Sequence, residues 1–453
     1  MLFSSTRFAT ASLILLCTSA ISVFAQTTAP TDTTAFSGNT LSLREAITAT
    51  LAHNPQLTSF QFRQQAMAGE RQTAGLRPLL RLSTDVENAA GTGDYTGTNN
   101  AELTLALSSV IELGNKRDAR LDLVTERQQE LAVKQRIVEL DLLAEVTRRF
   151  IETVAAQEHL ALQQATLALT KDTTTAIKRR VNAGNMPDAE LARAQANEAR
   201  MAIALRQAEL NFDSTKIKLS ALWAETEPSF TAVTADLANQ GDSPSRKELL
   251  DGLANNPDVL LFASEARLRD AELRLALSQR KADVEWNAGI RRFQTTGDSA
   301  FVVGLSVPLF GGSRATGEIA TAKANQRSVD NERDMALIKL RAQVFALHQE
   351  RQAALFAVTS LRNDVIPQLK KAVSGTRAAF DRGRYGYLEL STSQHELLEA
   401  EAAWIDAAAK AHLLRAEIER LSGATTTAHA SGQALDNQAL NDQAAEVNHD
   451  TLR

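Results

Sequence analysis

The side chains best suited to chemistry are scattered along this chain. Its seven histidines show no spacing typical of a metal site, and the methionines beyond Met1 are equally dispersed. The sequence has no Gly-x-Ser-x-Gly nucleophile motif, no Gly-Lys-Ser/Thr phosphate loop and no His-Glu-x-x-His zinc motif. The histidines are His53, His159, His348, His395, His412, His429 and His449. We therefore expect a protein that is not an enzyme and that has no cofactor and no tight metal site.

The first 25 residues have the features of a secretory signal. Arg7 supplies a positive charge, residues 8–24 are mostly apolar, and a small residue, Ala25, follows at the expected cleavage point. We predict a signal peptide at 1–25, followed by a linker at 26–40.

The single cysteine, Cys17, lies inside this segment and would be lost with it. A membrane anchor and a lipid-modified Cys17 are the alternatives. Leu16 argues against lipidation, because that signal normally has a small residue before the cysteine. The rest of the chain has no run of about 18 apolar residues that would span a bilayer as a helix.

The composition favours long helices. The chain has 453 residues, with 21 Gly, 9 Pro and 5% aromatic residues, and is rich in good helix formers. Its net charge of −5 is modest and spread along the sequence, so we expect no nucleic-acid partner.

Two patterns occur twice at nearly the same offset. Leu-Ala-His-Asn-Pro at 51–55 is matched 202 residues later by Leu-Ala-Asn-Asn-Pro at 253–257. A Gly followed by Glu-Leu at 184–191 is matched 199 residues later at 383–390. This indicates an internal duplication, with repeats at 41–240 and 241–423. In each repeat the Asn should cap a helix whose first turn the Pro begins.

Each repeat then changes to the two-residue period of β-strands. Apolar side chains alternate with polar ones in four runs, which predicts hairpins at 81–111 and 283–310. The alternating positions are Leu82, Thr84 and Val86, then Leu103, Leu105 and Leu107, then Val284, Trp286, Ala288 and Ile290, and finally Phe301, Val303, Leu305 and Val307. Strands of roughly ten residues are long enough to cross a hydrocarbon layer at a tilt.

Four strands in one chain cannot close a membrane barrel. Such barrels begin at about eight strands, and open edges are not tolerated in lipid. If these strands enter a membrane, the protein must be an oligomer, and three chains would supply about twelve strands. Hairpins of a soluble domain remain the alternative.

Each hairpin is followed by a long segment with apolar residues at every third or fourth position. The pattern predicts long helical hairpins at 115–223 and 313–421, which reverse at Gly184 and Gly383. Helices of about 65 to 70 residues form rods of roughly 100 Å with coiled-coil character. Residues 424–453 lack periodicity and are expected to be a disordered tail. The predicted fold class is therefore mainly α, with long helical hairpins and with four strands that are membrane β if they enter lipid.

This doubled order of helix, β-hairpin and long helical hairpin resembles the TolC family of outer-membrane efflux proteins over residues 41–423. At the first strand-to-helix junction, the sequence is similar to the Glu-Leu-Gly-Gly-Lys-Arg segment of the members paired with cobalt–zinc–cadmium exporters. The matching residues are Glu112, Leu113, Gly114, Lys116 and Arg117, while Asn115 replaces the second glycine. The later junction keeps Gly311 and Gly312 but lacks the lysine.

The resemblance implies a homotrimer with a twelve-stranded barrel in outer-membrane lipid and a long periplasmic tube. Its partners would be a periplasmic adaptor (membrane fusion) protein and an inner-membrane RND transporter. The cargo would be heavy-metal cations. Multidrug efflux and type I protein secretion are the alternatives within the channel class, and a periplasmic coiled-coil scaffold is the alternative outside it.

The resemblance also assigns roles to the two helix reversals. The tips expected to dock the adaptor comprise Gly184, Asn185, Met186, Gly383, Arg384 and Tyr385. Glu389 falls at an acidic position of the periplasmic gate, and Thr392 stands where a second acid is expected. An ordinary solvated glutamate is the alternative reading of Glu389.

Overall fold

The computed structural model describes residues 39–241, 244–309 and 313–422. In chain order the helices of these residues are α1 (Leu43–His53), α2 (Pro55–Ala74), α3 (Lys116–Asn182), α4 (Asp188–Ser220), α5 (Arg246–Gly252), α6 (Pro257–Ser278), α7 (Thr316–Ser360), α8 (Ile366–Asp381) and α9 (Tyr387–Ser422). The strands are β1 (Thr40–Leu41), β2 (Arg81–Glu87), β3 (Glu102–Ile111), β4 (Ala232–Val233), β5 (Val284–Phe293) and β6 (Ser299–Ser306). The expected signal peptide with Cys17, most of the linker, Gly311, Gly312 and the C-terminal tail lie outside the described residues.

Two helical hairpins dominate the described part of the chain. α3 runs for 67 residues without a break and is reversed into α4, of 33 residues. α7 and α8 together form the outgoing arm of the second hairpin, and α9, of 36 residues, returns. The order of helices and strands in the first half recurs in the second half. The duplication itself stays an inference from the sequence.

The outgoing arm of the second hairpin is not one continuous α-helix, which corrects the prediction of a single helix. A π-helical segment, Leu361–Val365, separates α7 from α8. It ends two residues before Pro367, which has no N–H and whose ring would collide with the carbonyl four residues back in a regular helix. A wider turn relieves this collision, and such π segments are a recognised source of helix irregularity.

Four strands form one antiparallel sheet in the order β2-β3-β5-β6. β3 and β5 pair at its centre, so the two halves of the chain are joined there by ten residue pairs. A two-residue parallel pair, β1 with β4, lies elsewhere. The side-chain amide of Gln157 binds the free edge of β4: it donates to the Val233 carbonyl (3.0 Å) and accepts from the Val233 N–H (2.9 Å). The sequence did not predict this pair, because two residues show no period.

The largest apolar core lies partway along α3, where α1, α9 and residues 219–237 pack against it. Phe150 and Val154 of α3 are 1% exposed, and Phe230 covers them from the connecting segment at 2%. A smaller cluster lies at the helix reversals. Smaller clusters join α3 to α6 and α7 to α9, so the helices are held together at several places along their length.

Two asparagines join helices end to end. Asn54 accepts the N–H of Gln56 (2.8 Å), which caps α2, and its Nδ2 donates to the carbonyl of Leu222 (2.8 Å), beyond the end of α4. The sequence predicted the cap and missed the second bond.

The second half repeats this joint. Asn256 caps α6 through the N–H of Asp258 (2.7 Å) and donates to the Leu421 carbonyl at the end of α9. Asn54 and Asn256 are 6% and 0% exposed, so water cannot replace either bond.

Replacing Asn256 with alanine should destabilise the protein by about 2–3 kcal/mol. The change removes a helix cap and leaves a buried carbonyl without a partner. Asn256→Asp keeps the cap acceptor and loses the donor, so a large part of the loss should remain. Asn211→Ala, on an exposed position of α4, is the control. Denaturant unfolding in detergent measures the difference, and equal midpoints for all three variants would contradict the joint.

Candidate functional site: the sheet faces, the junction and the hairpin tips

The strand register separates apolar from polar side chains across the whole sheet. Paired residues share a face, and Leu82 pairs with Leu107, which pairs with Ala288, which pairs with Val303. Extended along every strand, this gives an apolar face whose members are Leu82, Thr84, Val86, Leu103, Leu105, Leu107, Ser109, Ile111, Val284, Trp286, Ala288, Ile290, Arg292, Ser299, Phe301, Val303 and Leu305. One of these carries a charge. The alternation predicted from the sequence is confirmed.

The polar face carries six charged side chains. They are Arg81, Asp85, Glu87, Glu102, Glu285 and Arg291, which amounts to four acids and two bases. On the apolar face, by contrast, large side chains are left bare, with Phe301 87% and Val303 76% exposed. A sheet with one such face is suited to lie between a hydrocarbon layer and water.

The junction after β3 is held by two ion pairs. Lys116 Nζ lies 2.7 Å from Asp283 Oδ1, and Arg120 Nη1 lies 2.6 Å from Glu112 Oε1. Lys116 is 5% exposed, although it begins a helix. The hydrogen bond from Arg120 holds the pKa of Glu112 below its ordinary value. Asp283, which the sequence placed in the strand, precedes β5 and joins the two halves.

The backbone at the junction explains why a glycine and an asparagine stand there. Gly114 has φ +84° and Asn115 has φ 56°, so two successive residues are left-handed. A Cβ on Gly114 would lie 2.9 Å from side-chain carbons of Lys281. Asparagine is among the non-glycine residues that enter this region most readily, so Asn115 is compatible with the place of the second glycine.

The other motif residues contact neighbouring segments. The Leu113 N–H donates to Asp283 Oδ1 (3.1 Å), and Arg117 Nε donates to the carbonyl of Gly75 (2.7 Å). These motif residues therefore fix the angle between the sheet and α3, and we call them the junction bracket. We find no three His, Cys, Asp or Glu side chains arranged to hold a metal ion within the described residues.

Both hairpins reverse through the same kind of turn. Gly184 has φ +72° and Gly383 has φ +73°. Each donates its N–H to the carbonyl three residues back (2.9 Å), and the next residue donates to the carbonyl five residues back (2.9 Å). This is the Schellman arrangement, which glycine satisfies without strain.

The two reversals are bound to each other. Arg180 of α3 donates to the carbonyls of Phe380 (2.8 Å) and Asp381 (3.0 Å), and its guanidinium lies 4.4 Å from the centre of the Phe380 ring. Arg377 donates to Thr173 Oγ1 (3.3 Å). The hairpins therefore end side by side.

The expected docking residues divide into exposed and packed ones. Asn185, Arg384 and Tyr385 are exposed, while Met186 is half-buried against the cluster formed by the reversals. Glu389 and Thr392 are exposed on α9, whereas Tyr387 and Leu390 are buried. The structure thus leaves the candidate gate side chains facing away from the chain's own core.

Among the described residues, no helix has both the length and the apolar content needed to cross a bilayer.

The comparisons with known proteins agree with this geometry. Residues 46–225 match the family described as outer membrane efflux protein. The chain is 24% identical to the cobalt-zinc-cadmium resistance protein CzcC of Cupriavidus metallidurans over 84% of this chain and 90% of that protein. The chain is therefore similar to outer membrane efflux proteins over these residues. This family is one of efflux channels.

Two further proteins are similar to this chain. The nickel-cobalt-cadmium resistance protein NccC of Alcaligenes xylosoxydans xylosoxydans is 28% identical over 59% of this chain and 62% of that protein. CusC, whose crystal structures record transmembrane channel formation, superposes with a TM-score of 0.71 at 13% identity, over 84% of this chain and 92% of that chain.

The shared fold confirms the predicted fold class. The similar proteins are outer-membrane efflux proteins, in agreement with the predicted location in the outer membrane.

Sequence reasoning missed Arg120, Asp283, Arg180 and Arg291. Arg120 follows Lys116 by four residues, one helical turn, so helical spacing was an available signal. Arg180 and Asp283 act between segments far apart in sequence, and no local pattern marks them.

A charge on the apolar face should destabilise the membrane-inserted protein, whereas the same charge on the neighbouring residue of the polar face should not. Val303→Arg near the bilayer midplane should destabilise the membrane-inserted protein by about 2–4 kcal/mol. Val302→Arg, on the polar face beside Gly289, is the matched control. Unfolding from lipid vesicles and the yield of assembled protein in the outer membrane measure the effect. Equal tolerance at both positions would contradict the two faces.

Proposed function

We propose that three copies of this chain form a passive outer-membrane duct for heavy-metal cations. The separation of charge between the two sheet faces carries the proposal. The apolar face suits lipid, the polar face suits an aqueous pore, and β2 and β6 are left with unpaired edges. Each edge needs a strand from another copy, because unpaired backbone groups are not tolerated in hydrocarbon.

Three chains with four strands each would give a barrel of about twelve strands. The long hairpins would continue it as a periplasmic tube. In this arrangement the pore performs no chemistry, and an inner-membrane RND transporter supplies the work.

The proposed cargo rests on three observations. CzcC and NccC are resistance proteins for cobalt, zinc, cadmium and nickel. The junction bracket resembles the segment found in family members that are paired with cobalt–zinc–cadmium exporters. Its matching residues are Glu112, Leu113, Gly114, Lys116 and Arg117. The acidic excess on the polar face is favourable for cations in a narrow pore.

The two reversals are proposed as docking sites for a periplasmic adaptor. They are the far ends of both hairpins, and their backbone is fixed by Schellman bonds and by Arg180. Exposed Asn185, Arg384 and Tyr385 give each tip a polar surface beside a well-anchored turn.

Cells lacking this protein should become sensitive to cobalt, zinc and cadmium salts, and the wild-type gene should restore resistance. Gly184→Val and Gly383→Val should not restore it, because a β-branched residue is strained at φ near +72°. Gly375→Ala, in α8 with open space around it, is the control and should behave as wild type.

Native mass spectrometry in detergent should show three chains for the wild type and for every variant. A stable monomer with its full strand content would contradict the duct. Unchanged metal sensitivity with altered drug sensitivity would contradict the cargo. Full resistance in both valine variants would mean that the tips do not dock.

Glu389 is proposed as one ring of the periplasmic gate. It lies in the first turn of α9, is exposed, and comes six residues after the tip glycine. Three copies near a common axis would concentrate cations and repel anions.

Glu389→Gln should reduce cation selectivity in planar bilayers and weaken block by trivalent cations added from the periplasmic side. The substitution keeps the side-chain size and removes the charge. Thr392→Asp should act in the opposite direction, because a residue three positions on lies on nearly the same helix face. Identical reversal potentials and block in Glu389→Gln and wild type would show that Glu389 is an ordinary surface carboxylate.

A further inference from the structure

One guanidinium on the polar face links three strands. Arg291 of β5 lies with Nη2 2.8 Å from Glu87 Oε2 of β2 and with Nη1 2.8 Å from Glu102 Oε2 of β3. Its Nε donates to Thr104 Oγ1 (2.9 Å). The positive charge is therefore surrounded by oxygen atoms of two neighbouring strands.

These oxygens are of the kind that bind divalent cations. Two carboxylates and a hydroxyl converge on one point, and Asp85 pairs with Thr104 on the same face. Two members of this cluster are held in place by their surroundings. Thr104 is 5% exposed, and the other oxygen of Glu102 accepts from the Asn88 amide (2.9 Å).

A pore that exports cations must not hold them. Binding strong enough to retain an ion slows its exit, so conduction requires weak sites. A carboxylate cluster in the wall would bind divalent cations unless another positive charge occupied it. Arginine suits that role because its guanidinium stays protonated and forms several hydrogen bonds in a fixed plane.

We propose that Arg291 is a tethered cation that fills this oxygen cluster, so that exported divalent cations pass the wall without being retained. The proposal deepens the duct function and rests on its cationic cargo. Because the guanidinium is covalently attached, its effective concentration at the cluster is high and does not depend on the solution. Arg291 thus determines whether the wall of the pore retains divalent cations.

Removing Arg291 should create a binding site for divalent cations. Trimers of Arg291→Gln in planar bilayers should conduct K⁺ and be blocked by CdCl₂ or CaCl₂ added on the extracellular side. Half-block is expected at about 10⁻⁴–10⁻³ M, the range of modest oxygen-ligand sites. The wild type should show no block at these concentrations.

Arg292→Gln is the matched control. Arg292 is the next residue and pairs with Leu103 on the apolar face, so the same change of charge occurs outside the pore. It should leave block unchanged. Adding Glu87→Gln and Glu102→Gln to Arg291→Gln should abolish the new block, because the ligands are then gone.

Arg291→Lys keeps the charge with a different donor geometry and should give intermediate block; it decides the question if Arg291→Gln does not assemble. Normal K⁺ conductance in Arg291→Gln or Arg291→Lys without new divalent block would overturn this inference and leave the proposed duct intact. Absence of any wild-type conductance, or unchanged metal resistance in cells lacking the gene, would overturn the proposed function instead.

Discussion

The distance between the sheet and the hairpin tips depends on two asparagine side chains. A helix end leaves backbone groups without partners, and two helices that meet end to end in a buried place double the problem. The side-chain amides of Asn54 and Asn256 each satisfy groups at both helix ends. The amide oxygen accepts an N–H from the first turn of the following helix, and the amide nitrogen donates to a carbonyl at or just beyond the end of the returning helix. α4 returns from one tip and α2 leads to the sheet, so the joint makes a single column from two helices. α3 runs beside that column unbroken and sets its direction.

The junction bracket then joins the sheet to α3, the helix that runs beside this column. Two left-handed residues, Gly114 and Asn115, change the chain direction within a short segment. The ion pair of Lys116 with Asp283 crosses from the first half to the second, so neither strand pair can tilt alone. A buried lysine is costly without its partner, which makes this contact sensitive to either substitution. The bracket therefore explains the motif residues mechanically, without metal contact.

The sequence predicted the parts of the fold that have a period. Alternation identified the strand faces, as Leu82 and Val303 show, and the three-to-four spacing identified the long helices. The π segment before Pro367 was missed because a helical period continues through it. The second bond of Asn54 and the clamp of Arg180 were missed because their partners are 168 and 200 residues away. The roles of Glu389 and Thr392 depend on how several chains converge, which periodicity in one chain does not describe.

The even number of strands in the sheet has a consequence for assembly. Because β2, β3, β5 and β6 are antiparallel throughout, the two edge strands run in opposite directions. Copies placed edge to edge in a ring then meet through antiparallel pairs, which are the more stable kind. With an odd number, every seam between copies would be parallel. Strand parity thus permits a ring of any copy number, and the sheet by itself does not choose one. In the proposed duct the copy number is therefore set by contacts outside the sheet.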